Sequence, residues 1–145
     1  MALSYASTVV NASADEVWAR IRDFNGLATW HSGLVTVSEI EDGKAGDQVG
    51  GVRSFTLADG THIRERLLSH SDAERSYTYS FEKTPFDVDN YRATIRVTPI
   101  TDGGGSFVEW WTTFDCNRDE QAHWTDFFAS QVFQGGFDAL KAHFA

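Results

Sequence analysis

Residues 119–145, DEQAHWTDFFASQVFQGGFDALKAHFA, decide the architecture, because they read as one long helix that the rest of the chain must wrap. Asp119 or Asn117 can cap its start, Glu120 favours its first turn, and Lys141 and His143 lie near its end, where cations suit the helix dipole. At about 100° per residue, Ala129, Val132, Phe133, Gly136, Phe137, Leu140 and Phe144 share one broad face, while Trp124, Phe127 and Phe128 fall toward the other. A helix apolar around so much of its circumference must be gripped on several sides or face a second apolar space. Glycine in mid-helix costs about 1 kcal/mol relative to alanine, so Gly135 and Gly136 predict one of two things: a curved core helix with a close packing contact, or a helix that lids a ligand cavity.

Working outward, residues 107–116 are the last strand before that helix, and residues 90–100 form a long strand with Tyr91, Ala93, Ile95 and Val97 on one face. Residues 76–82 carry Tyr77, Tyr79 and Phe81 at period two; residues 69–75 are polar and turn the chain. Ala58-Asp59-Gly60 is a tight hairpin signal between an extended run at 53–57 and a strand at 61–68. Residues 35–41 make another strand, followed by the Gly- and Asp-rich turn EDGKAGDQVGG. At the front, residues 5–10 are a β-branched strand and Asn11 or Ser13 caps a short helix at 14–23 with Val17, Trp18 and Ile21 as its apolar stripe. Asn25-Gly26 then breaks it before a helical turn at 27–30. One strand, two short helices, about six strands in antiparallel meander and one long helix leave a single way to cover the sheet's apolar face: the sheet curls around the last helix, an α+β helix-grip fold.

With 145 residues and 41% hydrophobic content, residues 1–145 are expected to form one domain around one sizeable core. The net charge of −9 and dispersed Lys and Arg argue against a nucleic-acid surface, which needs a clustered basic patch to displace phosphate counterions. Cys116 is the single cysteine, which excludes an internal disulfide and suits a reduced, cytoplasmic setting. The opening MALSYASTVVNASADEVW lacks the basic and apolar regions of a signal peptide, and no stretch approaches the ~20 apolar residues of a membrane span, so no membrane insertion is expected. The aromatic content is 14%, with five Trp and eleven Phe, which points to dense packing or to flat walls for an aromatic or polycyclic guest.

The segments ADEVWARIRDFNGLATWH, GVRSFTLADGTHIRERL, SYTYSF, NYRATIRVTP and FVEWWTTFDC, with a terminal GFDALKAHF, resemble the polyketide cyclase and dehydrase group of the START-like superfamily, which shares the birch-pollen-allergen fold. The resemblance spans essentially the whole chain. It implies an elongated apolar cavity between the curved sheet and the final helix, open near the short helix pair and the strand loops, with no cofactor. It implies no single activity, since that superfamily holds lipid carriers, hormone receptors, cyclases and lyases.

Strand parity nominates residues for that cavity. Glu65 lies between Ile63 and Leu67 on one stripe; a carboxylate there must pair or take up a proton, which suits it to general acid or base work. The alternative is a buried structural pair with Arg53, which shares a face with Phe55 and Leu57. His31 follows Trp30 in the turn where the implied cavity mouth lies and can move a proton near neutral pH, or it can simply cap that turn. His62 has the opposite parity, and His70, His123 and His143 read as loop or helix-surface residues. Trp30, Arg53, Phe55, Tyr79, Phe81, Tyr91, Trp110 and Phe133 are the candidate ligand contacts. Trp110 is assigned inward with Val108 and Phe114, which leaves Glu109 and Trp111 on the convex face, where Trp111 hints at a partner surface such as a homodimer contact. There is no GxSxG elbow, no HExxH, no paired cysteines and no glycine cradle for phosphate. Two functions remain: a cofactor-free cyclase, dehydratase or lyase in which Glu65 and His31 exchange protons with an aromatic or polyketide-like substrate, or a non-catalytic carrier of a lipid or aromatic metabolite.

Overall fold

The computed structural model describes residues 1–145 and is the α+β helix-grip. Its strands are β1 (Ala2–Val10), β2 (Val35–Ile40), β3 (Val52–Leu57), β4 (His62–Ser71), β5 (Ser76–Lys83), β6 (Asp89–Pro99) and β7 (Ser106–Asp115). They form one antiparallel sheet in the order β1-β7-β6-β5-β4-β3-β2, with β1 and β2 at its edges. The expected turn at residues 69–75 begins late. A register shift between Leu67 and Ser69 lets β4 continue to Ser71, and this bulge adds to the sheet's curl.

Between the first two strands lie α1 (Ala14–Ile21) and α2 (Leu27–Trp30). The Ser13 side chain caps α1 by accepting from the Glu16 N–H, and Val17, Trp18 and Ile21 are buried as their spacing requires. Alternation along the strands sorts the faces: Tyr91, Ala93, Ile95 and Val97 on β6, and Val108, Trp110, Thr112 and Phe114 on β7, are all buried. On the convex face Trp111 stacks on Tyr5 and lies under the Arg96 guanidinium, while Glu109 accepts bonds from both Tyr5 and Arg96.

Residues 118–143 run helically but not as one α-helix. A 3-10 turn (Arg118–Glu120) leads into α3 (Gln121–Asp126), then a π-helical segment (Phe127–Phe133), then α4 (Gln134–His143). Asn117 stands at the start, although its side chain makes no capping bond to a helix N–H. The π segment changes which residues meet the sheet. Five residues at α spacing put Phe128 and Phe133 on different faces, whereas a turn bonded five residues back brings both inward. Phe128, Phe133, Phe137 and Leu140 are fully buried. No helix is long and apolar enough to cross a membrane.

Candidate functional site

Between the middle of the sheet and the π segment lies a narrow cleft of about 30 Å³. Ile63 and Glu65 on β4, Phe55 and Leu57 on β3, Tyr79 and Phe81 on β5 and Tyr91 on β6 form its sheet side; Phe127, Phe128 and Val132 form its helical side. Leu34 and Phe86, from loops outside these elements, complete the lining. Eleven of the twelve lining residues are hydrophobic, and the remaining one is Glu65. A larger depression of about 880 Å³ opens on the surface where β5 and β6 separate beyond the Ser80–Arg92 pair. It is a mixed polar groove with Lys83, Asp87, Asp89 and Arg92 on its walls, and it meets the cleft only at Phe81, Phe86 and Tyr91. The cleft, not the groove, combines an apolar enclosure with a reactive group.

Glu65 stands directly across the β3–β4 ladder from Arg53, so the tight hairpin places the pair on one face. Arg53 donates to Glu65 Oε1 from Nε at 2.9 Å and approaches the same oxygen with a terminal nitrogen at 2.7 Å; its other terminal nitrogen donates to the Phe24 carbonyl at 2.8 Å. Both residues are buried, and the guanidinium sits 4.0 Å from the Phe24 ring centre and 4.8 Å from that of Tyr79. Burial raises the Glu65 carboxyl above its ordinary value, and Arg53 pulls it back toward the charged form. Burial is the strongest single influence on Arg53 and opposes its charge, but Glu65 together with Tyr77 and Tyr79 outweighs it, and the guanidinium holds its proton more tightly than usual. Arg53 satisfies one carboxylate oxygen, and the carboxylate still borders the cleft. Burial raises the Tyr79 and Tyr91 hydroxyls as well, so both remain neutral donors.

Of the residues nominated from sequence, Glu65, Phe55, Tyr79, Phe81 and Tyr91 line the cleft. Arg53 stands behind Glu65. Trp30, His31, Trp110 and Phe133 form a separate buried knot around the helix. Trp110 stacks on Phe133 at 4.7 Å between ring centres, packs against Trp30 and His31, and donates from its indole to the Tyr79 hydroxyl at 3.1 Å. This knot explains the paired glycines. A Cβ on Gly136 would lie 2.7 Å from Trp110 Cζ3 and 3.1 Å from both Trp30 Cζ3 and His31 Cδ2; one on Gly135 would lie 3.3 Å from His31 Cε1.

His31 is 2% exposed and donates from Nε2 to the Val132 carbonyl at 2.7 Å, which fixes the tautomer and leaves Nδ1 without a partner. Burial lowers its pKa, so the ring is neutral. Glu65 and His31 thus reach different spaces. His70 is no loop residue: it lies on β4, stacks on Tyr77 and bonds the Arg22 carbonyl through Nε2. Sequence reasoning missed Leu34, Leu57, Ile63, Phe86, Phe127, Phe128 and Val132 as cleft residues. The paired aromatic signal of Phe127-Phe128 was visible, but α-periodicity pointed it away from the sheet. No group of three or more His, Cys, Asp or Glu side chains comes together to hold a metal.

A family model described as polyketide cyclase / dehydrase and lipid transport matches residues 1–145. The chain is similar to the solved structure of XoxI from Bacillus cereus, with 34% identity, 99% of this chain and 96% of that one covered, and a TM-score of 0.88. A Thermobifida fusca protein matches at 28% identity over 99% of this chain and 93% of its own, with a TM-score of 0.88. Norcoclaurine synthase from Thalictrum flavum, solved with dopamine and hydroxybenzaldehyde, shares the fold at a TM-score of 0.77 with 18% identity, covering 97% of this chain and 84% of that one. Comparison with curated proteins gives no match.

Proposed function

Because the chain belongs to the polyketide cyclase / dehydrase and lipid transport family, we propose that it binds a small, flat, apolar molecule with one proton donor, such as a phenol, in the cleft beneath the π segment. Glu65 is the anchor for that donor. The observation that carries this is the lining itself: eleven hydrophobic residues, mostly aromatic, and a single carboxylate. Flat apolar walls reward a ring, and an anionic acceptor in a dry site rewards one O–H or N–H more than water does. The fold can house such guests, since norcoclaurine synthase holds two small aromatic molecules. The cleft of about 30 Å³ has room for roughly one water, so binding requires a wall to move.

Titration of 4-hydroxybenzaldehyde against benzaldehyde, followed by calorimetry, tests the anchor. The native protein is expected to prefer the phenol by about tenfold or more, the worth of one hydrogen bond to a charged group. The double variant Arg53→Met/Glu65→Leu is expected to lose that preference. Equal affinities in the native protein would defeat the proposal.

One observation favours a second function, proton-transfer catalysis of the cyclase, dehydratase or lyase type: burial has raised the Glu65 carboxyl, which brings it closer to exchanging a proton with a bound guest. His31 bonds Val132 through Nε2 and is not among the cleft's lining residues, so that role falls to Glu65 alone. Solvent deuterium entering an acidic C–H of a bound carbonyl compound faster with the native protein than with the double variant would support catalysis; equal rates would leave a binder or carrier.

A further inference from the structure

Paired strands from β3 to β6 hold most of the sheet wall, although a register shift falls beside Glu65 and the β5–β6 ladder ends at Ser80–Arg92, short of Phe81 and Tyr91. The facing wall is the π segment, which no strand ladder holds. Two side chains from the rest of the molecule bond its surroundings, and they bracket it. Ser4 Oγ on β1 donates to the Thr125 carbonyl at 2.6 Å, just before the segment begins; His31 Nε2 donates to the Val132 carbonyl at 2.7 Å, in its last turn. Both donors are buried, at 1% and 2% exposure, and a buried donor without an acceptor is costly. The main-chain carbonyls they meet are therefore required where the π turn puts them. The same residues in an α register would rotate Phe128 away from the face it shares with Phe133, and the cleft would lose one of its three helical walls. Gly135 and Gly136 follow after Gln134, and His31 lies so close to both that a Cβ there would meet its ring at 3.3 and 3.1 Å.

We propose that Ser4 and His31 are positioning residues that clamp residues 127–133 in the π register, and that this register sets the width of the cleft. Release of the His31 clamp swings the segment about Gly135 and Gly136, carries Phe127, Phe128 and Val132 off the sheet, and opens room for the guest. The proposal deepens the binding function stated above and rests on it for what the opening admits.

Amide hydrogen exchange and 4-hydroxybenzaldehyde titration on the same variants test it. His31→Phe keeps a ring of similar size but has no donor; exchange at residues 128–137 is expected to speed by about tenfold or more while amides of β6 and β7 keep their protection. His31→Gln, which restores a donor at similar reach, is expected to recover most of that protection, a rescue that packing alone would not produce. Ser4→Ala, a milder change, is expected to speed exchange at the α3 end and remains readable if His31→Phe folds poorly. The guest is expected to bind His31→Phe faster than the native protein. Unchanged exchange, or loss spread evenly over the chain, would overturn the clamp. Localised exchange with no guest bound by any of the proteins would uphold the clamp and overturn the binding function.

Discussion

Removing Glu65 alone leaves the Arg53 guanidinium buried among aromatic rings without its counter-charge. In Glu65→Leu, Arg53 keeps its bond to the Phe24 carbonyl and its place against Phe24 and Tyr79, but loses both approaches to Glu65, at 2.9 and 2.7 Å. An uncompensated buried charge costs about 3 to 5 kcal/mol, which for a chain of 145 residues lowers Tm by roughly 10 to 20 °C. The double variant Arg53→Met/Glu65→Leu removes the charge as well. Replacing a buried pair by apolar groups is neutral or favourable by about 1 to 4 kcal/mol, while the Phe24 carbonyl loses its donor at about 1 to 3 kcal/mol. The double variant should therefore fall within about 3 kcal/mol of the native protein and be more stable than the single one. Denaturant unfolding of the four proteins in the cycle gives a coupling of at least about 2 kcal/mol. A double variant as unstable as Glu65→Leu, or costs that simply add, would refute the idea that each charge is held only by the other.

Gly136→Ala gains helix propensity but drives a methyl to 2.7 Å from Trp110, so a net loss of about 1 to 3 kcal/mol is expected from overpacking; Gly135→Ala, facing only His31 at 3.3 Å, should lose less, and equilibrium denaturation ranks the two. His31 is neutral and buried with a pKa lowered from its ordinary 6.5, so the unfolded chain binds the extra proton first. Its contribution to stability is whole above about pH 6.5 and declines as pH falls toward the depressed folded value; His31→Gln should flatten that part of the stability–pH curve, and an unchanged slope would count against a buried neutral imidazole.

Much of this fold is written at period two. The stripes of Tyr77-Tyr79, Ile63-Glu65-Leu67 and Ala93-Ile95-Val97 give each strand its inward face, and the Ala58-Asp59-Gly60 turn sets Arg53 opposite Glu65. The long helix was legible as an element but not in its local geometry: an α-periodic reading cannot see a π segment, whose extra residue is stabilised by distant Ser4 and His31 rather than by its own sequence. The glycine pair announced a close approach without naming the two tryptophans and the histidine that make it, because those partners come from β7 and from the C-terminal end of α2 with the residue that follows it. Parity could nominate Glu65 for the cleft and still not separate Trp110, whose face is right but whose depth places it beneath Phe133 rather than beside Tyr91. Phe86 sits in a loop, where no periodicity applies.

The most direct measurement is methyl NMR of the native protein with 4-hydroxybenzaldehyde added stepwise. Leu34, Leu57, Ile63 and Val132 report on the cleft, while Val9, Val37 and Val49 are exposed elsewhere and serve as controls. If the cleft is the binding site, the first four shift together along one saturable curve and the controls stay still. Shifts confined to the controls, or none at saturating guest, would contradict a binding site built on Glu65 beneath the π segment.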